Sequence, residues 1–143
     1  MKIVTSAIIS CMLLCACSGP GKVQSDEVQP DTGQPQGSWR TVTAEEAKEI
    51  MSESESDYII LDVRTEDEYN AGHIKDAILI PHDEISSLAD SVLHDHDAII
   101  FVYCRSGARS ARAAETLAGM GFTNVYDMGG IIDWPYGTVT KGG

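Results

Sequence analysis

The stretch FVYCRSGARSARAAETLAGMGF at residues 101–122 contains the features that decide the fold. An apolar run reaches Cys104, a few small and polar residues follow, and an alanine-rich segment comes next. Residues 98–103, AIIFVY, are typical of a strand buried on both faces, and residues 110–120 are typical of a helix that Gly121 ends. The stretch therefore predicts a parallel-sheet strand, a tight loop after Cys104, and a helix.

The flanking sequence repeats this alternation of strand and helix. Its predicted strands are residues 39–42, 58–63, 77–80 and 124–128. The capping boxes TAEE, with Thr43 as N-cap, and TEDE, with Thr65 as N-cap, start two helices, and residues 83–93 carry a weaker helical pattern. This order predicts an α/β domain with a largely parallel sheet.

Cys104 lies where such a sheet binds ligands, at the point where a strand ends and a helix begins. Gly107 and its small neighbours allow several backbone N–H groups to converge near the positive end of the helix. The thiolate of Cys104 is the anion closest to those groups, so the same geometry should lower its pKa. We therefore expect Cys104 to be an activated nucleophile rather than an inert buried thiol.

The first residues resemble a bacterial lipoprotein signal. Lys2 precedes an apolar run that is short for a membrane span, and the lipobox LCAC places Leu14 and Ala16 before Cys17. The resemblance implies cleavage after residues 1–16, lipid on Cys17, further acylation such as palmitate, and an extracytoplasmic location in the cell envelope. The alternatives are an ordinary secretory signal or an N-terminal transmembrane anchor.

A flexible tether is predicted between Cys17 and the folded domain. Residues 18–38 are rich in Gly, Pro, Gln and Ser and show no apolar period. The folded domain is predicted at residues 39–140, and residues 141–143 form a short tail. Since two of the four cysteines leave with the signal and Cys17 carries lipid, Cys104 would be the one free thiol of the mature chain.

The composition restricts the partners. The formal net charge is −12, from 22 acidic and 10 basic residues spread along the chain. Such a surface repels nucleic acid and anionic lipid headgroups. We therefore expect no nucleic-acid partner, and contact with a membrane only through the N-terminal lipid.

Three separated blocks resemble the rhodanese (sulfurtransferase) family. They are ILDVRTEDEYNAGHIKDA at 60–77, YCRSGARS at 103–110 and VYDMGGIIDWP at 125–135. The resemblance implies a single domain with a five-stranded parallel sheet and helices on both faces. It also implies that Cys104 accepts a sulfane sulfur as a persulfide, without a metal or organic cofactor. Asp76 departs from the family, which usually has glycine there.

The resemblance also assigns roles around Cys104. The predicted substrate-binding residues are Arg105, Ser106, Gly107, Ala108 and Arg109, with the two arginines beside an anionic donor such as thiosulfate. Asp62 and Arg64 are predicted to form a supporting ion pair, and His73 to be a structural hydrogen-bonding residue. Trp134 either walls the pocket or covers the core. The acceptor would be a thiol, cyanide or a partner protein.

Two rival functions remain open at this point. Phosphatases and arsenate reductases also use a cysteine and an arginine, but their loops place five residues between the two, whereas four separate Cys104 from Arg109. A carrier that holds a persulfide for one partner protein, without turnover, would keep the same loop. The HDHD segment at 94–97 is predicted to be an exposed turn rather than a metal site, since adjacent loop residues seldom converge on one ion.

Overall fold

The computed structural model describes residues 37–140, so residues 1–36 and 141–143, including the predicted signal and Cys17, lie outside it. The strands are β1 (Trp39–Thr41), β2 (Tyr58–Asp62), β3 (Ile78–Leu79), β4 (Ile99–Cys104) and β5 (Asn124–Gly130). The helices are α1 (Ala44–Glu53), α2 (Glu66–Ala71), α3 (Ile85–Leu93) and α4 (Ala108–Gly119), with a short 3-10 turn at Ile131–Asp133. Within residues 37–140 no helix is long and apolar enough to cross a bilayer.

The five strands form one parallel sheet in the order β1-β5-β4-β2-β3. The central strand β4 pairs with β2 on one side and β5 on the other, so Asp62 lies opposite Tyr103 and Cys104 opposite Gly130. After β2 the chain forms the edge strand β3, then crosses back to β4 and continues to β5. Because β2, β4 and β5 are parallel, their carboxyl ends lie at one edge of the sheet. The predicted fold class is confirmed.

Strand β4 shows why both faces of the sheet are covered. Ile100, Val102 and Cys104 belong to a core shared with α3 and α4, whereas Phe101 and Tyr103 belong to a second core shared with α1. Alternate residues of a strand point to opposite faces, so a continuous apolar run fills two cores at once. The thiol therefore lies on the α4 face of the sheet.

Both predicted capping boxes are present. The Thr43 hydroxyl accepts from the Glu46 N–H at 3.1 Å, and the Glu46 carboxylate accepts from the Thr43 N–H at 2.7 Å. Thr65 and Glu68 make the same reciprocal pair at the start of α2, at 3.4 and 3.2 Å. Each box satisfies two backbone N–H groups, one at the N-cap residue and one three residues later, that would otherwise lack a partner at the start of the helix.

Several predicted boundaries were wrong. Helix α4 begins at Ala108, two residues before the predicted Ser110, because Gly107 adopts φ +102° and turns the chain directly into the helix. Its end is a Schellman motif in which Gly121, at φ +99°, donates to the Ala118 carbonyl and Phe122 to the Leu117 carbonyl. Two strand lengths also differ: β3 pairs only at Ile78–Leu79, and β5 continues to Gly130.

The backbone conformation of Asp76 shows why aspartate can stand where the family usually has glycine. Asp76 follows the GHI segment with φ +65°, in the left-handed region. Glycine enters this region without steric cost, and aspartate is one of the few other residues that tolerate it. The turn geometry is therefore kept despite the substitution.

Candidate active site

Cys104 is the last residue of β4, and only 1% of it is exposed. The ladder between β4 and β5 is irregular between Val102 and Cys104, so the pairing restarts at Cys104 and Gly130. Three residues, 105–107, connect the thiol to α4, rather than the five expected from the sequence. The thiol is thus fixed between a central strand and the amino terminus of a 12-residue helix.

Backbone N–H groups of the loop converge on the sulfur. The Gly107 N–H donates to Cys104 Sγ at 3.1 Å. Burial by itself raises the pKa of the Cys104 thiol, but hydrogen bonds from Ser110, through both its N–H and its hydroxyl, and from the N–H groups of Gly107 and Ser106 outweigh burial. The pKa of Cys104 is therefore below its ordinary value, as expected of a nucleophilic cysteine.

Ser110 links three parts of the site. Its side chain is fully buried, and its hydroxyl lies 2.9 Å from the Gly107 carbonyl and 3.3 Å from the Gly129 carbonyl. A hydroxyl has one proton, which these two carbonyls share, so Ser110 donates to the Cys104 thiolate only by turning that proton away from both of them. The sequence analysis did not assign this residue to the site.

Ser110→Ala should raise the pKa of Cys104, because the variant loses the hydroxyl donor but keeps the N–H groups. The measurement is the rate of alkylation by iodoacetamide against pH, which rises through the thiol pKa. We expect this profile to move to higher pH, with a several-fold slower reaction below the wild-type pKa. Ser91→Ala, which removes a hydroxyl bound to the Leu88 carbonyl in α3, is the control. A Ser110→Ala profile that coincides with the control would contradict the assignment.

The backbone of β5 at Gly130 packs closely against the backbone of the Cys104 loop. A Cβ on Gly130 would lie 2.5 Å from the Arg105 carbonyl oxygen and 2.8 Å from Ser106 Cα. The Arg105 carbonyl in turn accepts from the Ile132 N–H at 3.4 Å. Because these distances leave no room for a side chain, glycine at 130 lets the end of β5 support the Cys104 loop.

The two arginines of the loop are placed differently. Arg105 is exposed, and no acidic group within residues 37–140 lies within ion-pair distance of it. Arg109, in the first turn of α4, donates to both carboxylate oxygens of Glu68, at 2.7 and 2.9 Å. The guanidinium expected beside an anionic donor is therefore held by helix α2.

Asp62 and Arg64 form a buried ion pair on the opposite face of the sheet from the thiol. Arg64 Nη2 lies 2.6 Å from Asp62 Oδ2, and the side chains are 6% and 0% exposed. Arg64 also donates to the Gly72 carbonyl, and the Tyr103 hydroxyl donates to Asp62 while it accepts from the Ile74 N–H. The pair joins β2, β4 and the segment after α2, and within residues 37–140 it makes no hydrogen bond to residues 105–107.

Burial disfavours the charge of Arg64, but hydrogen bonds and the negative charge of Asp62 outweigh it, so the pKa of Arg64 is raised. Burial also raises the pKa of the Tyr103 hydroxyl, and Asp62 adds to this. Tyr103 therefore stays protonated and serves as a donor. In the sequence analysis this tyrosine was only the last residue of the predicted strand at 98–103.

The remaining candidates take part in packing. His73 pairs its backbone with Val139, and its ring stacks on Tyr69 at 3.8 Å between centroids. Trp134 is half-buried against the α1 core and meets the Tyr136 ring at 4.9 Å. In the HDHD segment, His96 stacks on Phe122 and bonds Asp90. Among residues 37–140 no three or more His, Cys, Asp or Glu side chains cluster so as to hold a metal ion.

The fold and the site define an α/β domain with a buried cysteine of lowered pKa at the carboxyl edge of a parallel sheet. The chain belongs to the rhodanese-like domain family, whose family model matches residues 43–135. It is 34% identical to a rhodanese-like domain protein from Staphylococcus aureus, with a TM-score of 0.60 over 71% of this chain and 98% of the other. It is 32% identical to a rhodanese with anions from E. coli, with a TM-score of 0.57 over 59% and 100% of the two chains.

Curated relatives carry a different name. The chain is 30% identical over 118 residues to a tRNA uridine(34) hydroxylase from Hamiltonella defensa, and 28% identical to one from Yersinia pestis. Each match covers 79% of this chain and 33% of the relative. The chain therefore spans about a third of the length of these relatives.

Proposed function

We propose that this protein is a sulfurtransferase that moves a sulfane sulfur through a persulfide on Cys104. The observation that carries the proposal is the buried thiol at the end of β4, whose sulfur accepts the Gly107 N–H and whose pKa is lowered by the loop. A thiolate is the form of cysteine that attacks sulfur. The proposed site also includes the N–H groups of residues 105–109.

The first half-reaction loads the cysteine. The Cys104 thiolate attacks the outer sulfur of a donor such as thiosulfate and forms an S–S bond. The S–S bond of the donor breaks, and its electron pair leaves with sulfite, so the total charge is unchanged. The loop N–H groups that surround Sγ would then stabilise the negative terminal sulfur of the persulfide.

The second half-reaction transfers the sulfur from Cys104 to an acceptor. A thiolate or cyanide attacks the terminal sulfur, the bond to Cys104 breaks, and the Cys104 thiolate is regenerated while a new persulfide or thiocyanate leaves. Since the two substrates react in separate steps, the kinetics should be ping-pong. These steps need no electron carrier and no metal.

The test is the intact mass of the protein before and after incubation with thiosulfate. Loading should add about 32 Da, the mass of one sulfur atom in the persulfide expected of an activated cysteine. Cyanide or a small thiol should remove the added mass. No gain in mass from thiosulfate, an organic thiosulfonate or a small-molecule persulfide would refute the proposal.

The same measurement separates the two rival functions. A carrier for one partner protein would gain the sulfur but release it to small acceptors far more slowly than it loads. A phosphatase or arsenate reductase would not gain sulfur. That second rival has less support, because the loop reaches α4 after three residues and Arg109 is bound to Glu68.

The hydroxylation of tRNA named for the longer relatives is not what we propose for this chain. Residues 37–140 contain far more acidic than basic side chains, and the full chain carries a net charge of −12. A tRNA would meet repulsion over most of this surface. Small sulfur donors and thiol acceptors fit the Cys104 loop without such contacts.

We also propose that the protein is attached to a membrane of the bacterial cell envelope, outside the cytoplasm, through lipid on Cys17. The support is the LCAC sequence and the polar segment that follows it. In a bacterial host, the wild-type chain should fractionate with membranes and begin at Cys17, and Cys17→Ala should lose the lipid. Cys15→Ala is the matched control and should keep it. Unmodified, soluble wild-type protein would contradict this proposal.

A further inference from the structure

The ion pair between Arg109 and Glu68 joins the first turn of α4 to α2. Arg109 Nη1 lies 2.7 Å from Glu68 Oε2, and Nη2 lies 2.9 Å from Oε1, so each nitrogen meets its own oxygen. Both side chains are 28% exposed. This two-bond geometry is the strongest form of an arginine–carboxylate contact.

Glu68 is itself held in place on α2. Its carboxylate accepts the Thr65 N–H in the capping box and contacts the Thr65 hydroxyl, both at 3.2 Å. The hydrogen bond to Arg109, together with those to Thr65, outweighs the effect of burial and lowers the pKa of Glu68 to about 2. The carboxylate is therefore ionised at every physiological pH, and the charge of Arg109 stays neutralised.

The pair also lies within electrostatic reach of the thiol. Arg109 follows Gly107 by two residues, and Gly107 donates to Cys104 Sγ. Glu68 raises the pKa of Arg109, and the negative charge of Cys104 adds to this. An anionic donor that approaches the thiolate would thus meet Glu68 together with Arg109, rather than a free guanidinium.

Two other sets of charges lie near the loop. The Asp62–Arg64 pair is closed on the opposite face of the sheet, and Arg105 is the exposed cation of the loop. Thiosulfate carries two negative charges, and the thiolate that it must reach carries a third. Repulsion grows with the charge of the donor, so each extra negative charge is costly here.

We propose that Glu68 is a specificity-determining residue, which neutralises Arg109 and sets the Cys104 site to favour sulfane donors with a single negative charge over the dianion thiosulfate. This inference rests on the proposed sulfur transfer and narrows its donor class to singly charged compounds such as organic thiosulfonates and persulfide anions.

The preference for singly charged donors can be tested with two donors that differ by one negative charge. Thiosulfate transfers its outer sulfur and releases sulfite, whereas methanethiosulfonate transfers the same sulfur and releases methanesulfinate. In both reactions the S–S bond of the donor breaks and one S–S bond to Cys104 forms. The measured quantity is the ratio of kcat/KM for thiosulfate to that for methanethiosulfonate, with cyanide as acceptor.

Glu68→Gln should raise this ratio about tenfold, because the released guanidinium can bind the second negative charge of thiosulfate. Glutamine retains an oxygen for the capping box, so the start of α2 is kept. The double variant Glu68→Gln with Arg109→Gln should return the ratio to near the wild-type value. Glu66→Gln, two residues earlier at an exposed position of α2, removes the same charge and should leave the ratio within about twofold.

Three results would overturn the inference. Equal losses of kcat/KM with both donors in Glu68→Gln would assign the residue to folding of α2 alone. An equal rise in the ratio for Glu66→Gln would assign the effect to overall charge. A wild-type protein that takes sulfur from neither donor would remove the proposed function as well, and the mass measurement distinguishes this third result from the first two.

Discussion

Cys104→Ser should gain no sulfur from any donor, although it folds like the wild type. The hydroxyl of serine is not ionised at neutral pH, and oxygen is a poor nucleophile toward sulfane sulfur, so we expect sulfur transfer to fall by at least about a thousandfold. The fold should persist because serine is close to cysteine in size and can accept the Gly107 N–H in place of Sγ. Cyanide-dependent thiocyanate formation and intact mass are the measurements.

Peptide mapping of the wild type supplies the control for this variant. The added sulfur should be found on the peptide that contains Cys104, and thermal unfolding of Cys104→Ser should match that of the wild type. Residual transfer above about one hundredth of the wild-type rate would place the reactive sulfur elsewhere. Loss of sulfur transfer together with a large drop in unfolding temperature would indicate that Cys104 serves mainly to pack the core.

Asp62→Ala should destabilise the domain by about 3–5 kcal/mol, because the variant leaves the Arg64 charge buried without its partner. Arg64 is 6% exposed, and the Tyr103 hydroxyl would lose its acceptor as well. Urea unfolding measures the change. Since the removed carboxylate lies on the face opposite the thiol, the fraction of protein that remains folded should still accept sulfur at Cys104.

An exposed contact between a carboxylate and an imidazole provides the matched control. Asp90 lies 3.0 Å from His96, with side chains 66% and 44% exposed. Asp90→Ala should cost less than about 1 kcal/mol, since exposed pairs contribute little. Replacing the buried pair by Asp62→Leu with Arg64→Met should recover much of the stability lost in Asp62→Ala. A cost for Asp62→Ala no larger than that of Asp90→Ala would show that the buried pair does not hold the loops.

Much of the fold could be predicted because its strands are buried on both faces. Residues 98–103 have no polar alternation, and their short length with β-branched and aromatic side chains is typical of a strand covered on both faces. Capping boxes fixed two helix starts through local hydrogen bonds. The start of α4 was missed, because Gly107 and the buried Ser110 act through a turn and a tertiary contact that no local pattern reveals.

Parts of the candidate site depend on contacts between distant segments and were out of reach of the sequence. Glu68 was assigned to a capping box, and its second role appears only when α2 and α4 come together across 41 positions of sequence. In the sequence, Gly130 was only the second of two glycines after a predicted strand. In the structure, its lack of a side chain leaves space for the Arg105 carbonyl. Arg109 was predicted to lie beside an anionic donor, and its ion pair with Glu68 was not foreseen.

The alternation of side chains along β4 limits which changes of length the chain can tolerate. Tyr103 must face the α1 core to reach Asp62, and Cys104 must face α4 to meet the loop N–H groups. Insertion of one residue within Ile99–Cys104 would exchange these faces, so that the Tyr103 phenol would point toward α4 and the Cys104 thiol toward the α1 core. A single insertion within this strand would therefore break the hydrogen bonds of Cys104 and of Tyr103 together, and the domain would lose its candidate nucleophile and part of its stability at once.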